Sequence, residues 1–118
     1  LYFIEEYPQK TPIRTMTHRV VAQFTIAPEQ WDAFKAAFLD ETTGLTYTRS
    51  QPGAREITAS VGDSEETKYT LTVCQRWVSK AHQEAYVKKR IESGWLAEVS
   101  KTFAKPPTFE HSTIEAQW

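Results

Sequence analysis

The chain has 118 residues, enough for one domain that buries roughly two thirds of its unfolded surface without a metal or disulfide staple. Its 14 Lys+Arg stand against 15 Asp+Glu, so there is no basic field for nucleic acid or a membrane surface and no acidic tail, which leaves small molecules or a second copy of the chain as partners. Cys74 is the only cysteine, which excludes an internal disulfide and a cysteine-rich zinc site and fits a reducing, cytoplasmic setting; no apolar run approaches the ~18 residues that span a bilayer.

Residues 1–15, "LYFIEEYPQKTPIRT", are set apart because Met16 opens a fresh segment where strand patterning starts, and Leu1-Tyr2-Phe3 looks like part of a cleavage tag. They read as a leader or tag-derived segment ahead of a single domain over 16–118. Val20, Ala22, Phe24 and Ile26 alternate with Val21, Gln23 and Thr25, the period of a strand with one apolar face, expected over 18–27. Pro28 suits a first helical turn, Glu29 and Asp32 complement the positive helix end, and Trp31, Phe34 and Phe38 recur at three and four residues. A helix is therefore expected over 28–41, ending near Gly44.

"TYTRSQPG" reads as a loop with a Pro52-Gly53 turn, followed by a strand over 54–61. "GDSEE" then connects a hairpin to a third strand in which Tyr69, Leu71, Val73, Gln75 and Trp77 share a face. Ser79 caps a second helix, whose turns are marked by Ala81, Ala85, Lys88 and the pair His82 and Tyr86 up to Gly94. "GWLAEVSKTF" continues as a further helical piece, stopped by Lys105-Pro106-Pro107. The last strand lies in "TFEHSTIEAQW", with Phe109, His111 and Thr113 on one face.

The order β-α-β-β-α-β is the split βαβ arrangement of α+β proteins, a ferredoxin-like four-stranded antiparallel sheet with both helices on one face. Apolar residues expected on both sides of the sheet leave one face in need of a cover, so a homodimer packed through that face is expected.

Several side chains are candidates for chemistry. His82 falls in the first turn of the second helix, where the dipole disfavours an imidazolium and keeps the ring neutral, the form a general base needs. Tyr86 follows one turn later as a hydrogen-bond donor. For both, the alternative is a core role. Gln75 is polar on an apolar face, where an isolated amide costs free energy unless something bonds it. Trp77, a large strand-end indole, serves both packing and a cavity wall. Arg49, Arg76 and Arg90 are candidates to hold an anionic substrate oxygen, against the ordinary role of a solvated surface arginine. His111 shares a face with Phe109, turned to a cavity or a dimer seam, and competes with His82 as the base. Phe24 reads first as packing and completes the set of substrate contacts.

From about Thr17 to Glu115 the chain resembles the antibiotic biosynthesis monooxygenase family, within the dimeric α+β barrel superfamily. The resemblance lies in "VVAQFTI" with its following "WDAFKAAF", in "SQPGAREI", and in "QRWVSKAHQEAY", where a tryptophan stands two residues before a helix-capping serine. It implies oxidation of an electron-rich anthrone, phenol or hydroquinone by O2 without metal, flavin or heme, in a homodimer. The chain agrees with the absence of a cofactor in having no Gly-rich phosphate loop and no HxxxH or CxxC pair. Within that chemistry His82 and Tyr86 form the catalytic pair, and Trp77, Gln75, Arg49, His111 and Phe24 contact the substrate. Heme-degrading members carry an asparagine on the first strand and a histidine on the second helix; here the first strand has no asparagine and Tyr86 stands nine residues after Trp77, which disfavours heme degradation. Two alternatives stay open: cyclase, isomerase or lyase chemistry on a polyketide-like substrate in the same cavity, and a non-catalytic ligand-binding dimer.

Overall fold

The computed structural model describes residues 17–116, and the leader expected over 1–15 lies outside them. Strands β1 (His18–Thr25), β2 (Ala54–Val61), β3 (Thr70–Trp77) and β4 (Thr108–Thr113) form one sheet in the order β2-β3-β1-β4, with antiparallel neighbours throughout. Helices α1 (Trp31–Leu39), α2 (Leu45–Ser50), α3 (Lys80–Ser93) and α4 (Trp95–Ser100) complete the chain. This is the expected ferredoxin-like α+β frame, with a short helix added after each long one.

Period-two alternation sends His18, Val20, Ala22 and Phe24 of β1 to the helix side of the sheet, where all four are buried. Their neighbours across the ladder are Trp77, Gln75, Val73 and Leu71 of β3. The apolar residues gather into two separate clusters. Ala22, Phe24, Leu71 and Val73 pack with Phe34 and Phe38 of α1 and Val99 of α4 at one end of the sheet. Val20, Ala54 and Trp77 pack with Tyr86 of α3 at the other. The first cluster is dense in rings, with Phe34 and Phe38 centroids 4.4 Å apart and Phe24 and Phe38 at 5.1 Å. Each such buried phenylalanine contributes on the order of 2–3 kcal/mol.

The helix expected over 28–41 is shorter and in two parts. Pro28–Gln30 form a 3-10 turn, and α1 ends at Leu39 because the Asp40 carboxylate turns back to accept the backbone N–H groups of Thr42 and Thr43 and the Thr42 hydroxyl. Those bonds hold Asp40 well below the usual carboxylate range. The loop expected through 46–53 contains α2 instead. Its threonines are poor helix formers with no apolar stripe, and the helix is held by a tertiary bond from the fully buried Thr48 to the Tyr86 hydroxyl.

Ser79 caps α3 as expected, its hydroxyl accepting the His82 N–H, and Gly94 ends the helix in the left-handed conformation at φ 81°. Of the residues that mark the turns of α3 in the sequence, Tyr86 alone turns inward. Ala81, His82, Ala85 and Lys88 are exposed, and Gln83, Tyr86 and Arg90 are buried. The face that meets the sheet is largely polar, so apolar spacing had nothing to mark. The other face of the sheet also departs from the reading. It carries Arg19, Gln23, Thr25, Thr70, Thr72 and Arg76, with Val21 and Cys74 as its apolar members on β1 and β3. Gln23 reaches Thr72 across it at 3.3 Å, and Arg76 meets Glu56 at 3.3 Å. Among the described residues no helix is long and apolar enough to cross a membrane.

Candidate functional site

Where the two apolar clusters fail to join, a cavity of about 650 Å³ opens between the sheet and α3. Its apolar wall includes Val20, Phe24, Val73, Phe38, Trp95 and Phe109. Its polar members are Gln75 from β3, His111 from β4, and Gln83, Tyr86 and Arg90 from α3, with Lys80 and Glu84 exposed at the rim.

The isolated amide of Gln75 has a partner. The Trp77 indole Nε1 donates to Gln75 Oε1 at 2.9 Å, and Trp77 itself is fully buried against the Tyr86 ring at 5.2 Å. Trp77 therefore stands behind the cavity rather than in its wall. By occupying the oxygen it leaves the Gln75 amide nitrogen as the group without a protein partner among the described residues. Gln83 is only 6 % exposed, lines the cavity, and its side chain likewise has no hydrogen-bond partner among the described residues.

Arg90 is 4 % exposed. Its Nε donates to the Tyr86 hydroxyl at 2.7 Å, Nη1 to the Thr43 carbonyl at 2.6 Å, and Nη2 to the Gly44 carbonyl at 2.8 Å and the Thr48 hydroxyl at 3.1 Å. The guanidinium lies over the Trp95 ring, 3.7 Å from its centroid. Every one of these partners is neutral. A buried guanidinium without a counter-charge costs free energy that hydrogen bonds and ring faces offset here. The Asp40 turn has a part in this, because it shapes the segment that offers the two carbonyls.

His111 lines this cavity and also a smaller one of about 420 Å³, which it shares with His18, Ser79 and Lys80. His111 Nδ1 lies 3.0 Å from His18 Nε2. Burial, then the neighbouring His111 and Lys80, lower the pKa of His18, while Glu84 opposes them, so the His18 ring is neutral at neutral pH.

Of the residues singled out from sequence, Phe24, Gln75, Tyr86, Arg90 and His111 meet around one cavity. His82 and Arg49 do not line it. The His82 ring is exposed, with Nδ1 2.7 Å from Ser79 Oγ, and it covers Gly53. Arg49 is exposed in the last turn of α2. Tyr86 is spent on Thr48 and Arg90, with its hydroxyl 2.6 Å from Thr48 Oγ1. Sequence reasoning missed Gln83 and His18. The spacing of Gln83, Tyr86 and Arg90 at three and four residues was a signal for the first, and the parity of His18 with Val20 was one for the second. Among the described residues, no three His, Cys, Asp or Glu side chains come together as a metal would need.

Fold and site define a class: a ferredoxin-like α+β domain with a mixed apolar and polar pocket between its sheet and its longest helix. The model of the antibiotic biosynthesis monooxygenase family matches residues 17–104, and the chain belongs to that family. Solved structures agree on the fold. A conserved protein from Methanosarcina mazei Go1 superposes with a TM-score of 0.71 at 15 % identity, covering 85 % of this chain and 94 % of that one. A candidate antibiotic biosynthesis monooxygenase from Nitrosomonas europaea gives 0.70 at 13 % identity, covering 96 % and 94 %. Rv0793 from Mycobacterium tuberculosis gives 0.67 at 21 % identity, covering 82 % and 93 %. No curated protein matches the chain.

Proposed function

We propose that the chain is a monooxygenase that oxidises an aromatic substrate of the anthrone, phenol or quinol type with O2 in this cavity, without a bound cofactor. The observation that carries the reading is the pairing of a largely apolar pocket with a histidine, His111, backed by a second, buried histidine. An electron-rich phenol or anthrone that loses a proton becomes a donor able to pass an electron to oxygen, so the substrate supplies the reactivity. For an anthrone the reaction balances without an external reductant: the CH2 and O2 give a C=O and one water.

The protein has to exclude water, take the proton and hold the developing oxyanion. His111 takes the proton. With its Nδ1–H donating to the neutral His18, its other ring nitrogen keeps a lone pair, and the same bond steadies the imidazolium once formed. The free amide nitrogens of Gln75 and Gln83 offer donors to the substrate oxygens. This assignment moves the base from His82, which lies outside the pocket, to His111, and makes Tyr86 a positioning residue for Arg90. We further propose that two copies pair through the sheet face opposite the helices, where Val21, Thr72 and Cys74 are half-buried with no helix of the described residues above them; sedimentation equilibrium tests the pairing.

The reaction is tested by oxygen uptake of the metal-stripped protein with anthrones and hydroquinones, against His111→Gln. Uptake above the autoxidation rate that falls in the variant is expected. Substrate conversion that proceeds equally under argon would replace oxygenation with isomerase or cyclase chemistry at the same base.

A further inference from the structure

We infer that the aromatic ligand of this cavity carries a carboxylate, and that this group meets Arg90 while the ring lies on the apolar wall. The inference rests on reading the cavity as the substrate site and specifies the class of molecule it takes.

The charge comes first. Arg90 is buried, lines the cavity, and has no carboxylate partner among the described residues. Lys80 and Glu84 at the rim are exposed and of opposite sign, so water and each other screen them. The charge inside the pocket is then that of Arg90, and an anion entering it gains a partner in surroundings of low dielectric.

The donor count sets the shape of the anion. A guanidinium presents five N–H groups. Nε and both Nη2 hydrogens are used on Tyr86, Gly44 and Thr48, and one Nη1 hydrogen on Thr43. One Nη1 N–H is left, which serves a single oxygen. A carboxylate, with one charge and two oxygens, fits this better than a phosphate group, which brings about two charges and three strong acceptors, and better than a phenol, because it is already ionised at neutral pH. The remaining donors, the amide nitrogens of Gln83 and Gln75, suit hydroxyl or carbonyl oxygens elsewhere on the ring. The ligand is thus a hydroxylated aromatic carboxylate rather than a neutral quinol.

The test is equilibrium binding of 2-naphthoate and its neutral counterpart 2-naphthamide to the full chain under argon. Naphthoate is expected to bind at least tenfold more tightly, and to keep that preference in high salt, where an exposed ion pair would lose it. Arg90→Gln should level the two probes and Arg90→Lys should retain the order. Should either variant fail to fold, the wild-type pair decides alone. Gln83→Phe, which fills the pocket, should abolish binding of both. Equal affinities, tighter naphthamide, no binding of either probe, or naphthoate binding that survives Gln83→Phe would overturn the inference. Neither probe carries an oxidisable hydroxyl, so oxygen uptake with neutral quinols can succeed while this test fails, and the two readings are separable.

Discussion

His18 Nε2 and His111 Nδ1 stand 3.0 Å apart between neighbouring strands, one ring buried and the other exposed beside the cavity. The arrangement gives His111 a neutral hydrogen-bond partner behind it. Replacing His111 with glutamine keeps a hydrogen-bonding group and removes the proposed base. The loss of general-base help is expected to lower kcat by on the order of 10²–10⁴. His18→Gln should lower it less and shift the pH profile of kcat, because it acts only through His111. Steady-state oxygen uptake across pH measures both.

The same pair makes stability sensitive to acid. The folded His18 has a pKa below its ordinary value of 6.5, from burial first and then from His111 and Lys80, with Glu84 opposing. Below that value the unfolded chain binds a proton that the folded ring resists, so the unfolded state is favoured. Stability attributable to His18 is therefore full above about 6.5 and falls as the pH drops through the lower folded value. Thermal melts at pH 7.5 and pH 5 should show a larger loss in the wild type than in His18→Gln. An equal loss in both would remove His18 from the acid limb.

Tyr86 ties α3 to α2 through one oxygen, which accepts from Arg90 and shares a hydrogen with Thr48. Tyr86→Phe keeps the ring against Trp77 and leaves two buried polar groups short of a partner. The expected cost is roughly 1–3 kcal/mol, seen as a lower midpoint in urea with little change in slope. Thr48→Val on top of Tyr86→Phe should cost less than the sum of the two, because the pair is one network.

How far the sequence led depended on where apolar residues stood. Strand β1 was legible because Val20, Ala22, Phe24 and Ile26 alternate without a break, and the ends of α3 were legible because Ser79 and Gly94 are cap residues with a local mechanism. Helix α2 was not, since its threonines favour other local structures and the side-chain bonds that hold it come from Tyr86 and Arg90, distant in sequence. The inward face of α3 hid for a related reason. Gln83 and Arg90 look like surface residues, and only the cavity shows that they face inward. His18 and His111 lie 93 positions apart, and the ladder between β1 and β4 is what brings them together.

Gly53 explains why His82, the residue that looked most like a base, sits where it does. The backbone there has φ 84°, and the Gly53 carbonyl accepts the Val78 N–H at 2.8 Å. A Cβ at Gly53 would lie 2.6 Å from the Cβ of His82 and would run into its ring. Gly53→Ala thus carries two costs, the left-handed backbone, about 1–2 kcal/mol for a residue with a side chain, and the collision with His82. His82→Ala removes the ring but keeps the Cβ. The double variant should therefore recover only the part of the collision due to the ring and keep both the backbone part and the Cβ contact, a coupling that a denaturation cycle resolves. His82→Ala alone should leave turnover unchanged, since its ring lies on the turn before β2 and outside the cavity wall. A loss of turnover in His82→Ala as large as that in His111→Gln would return the base to α3.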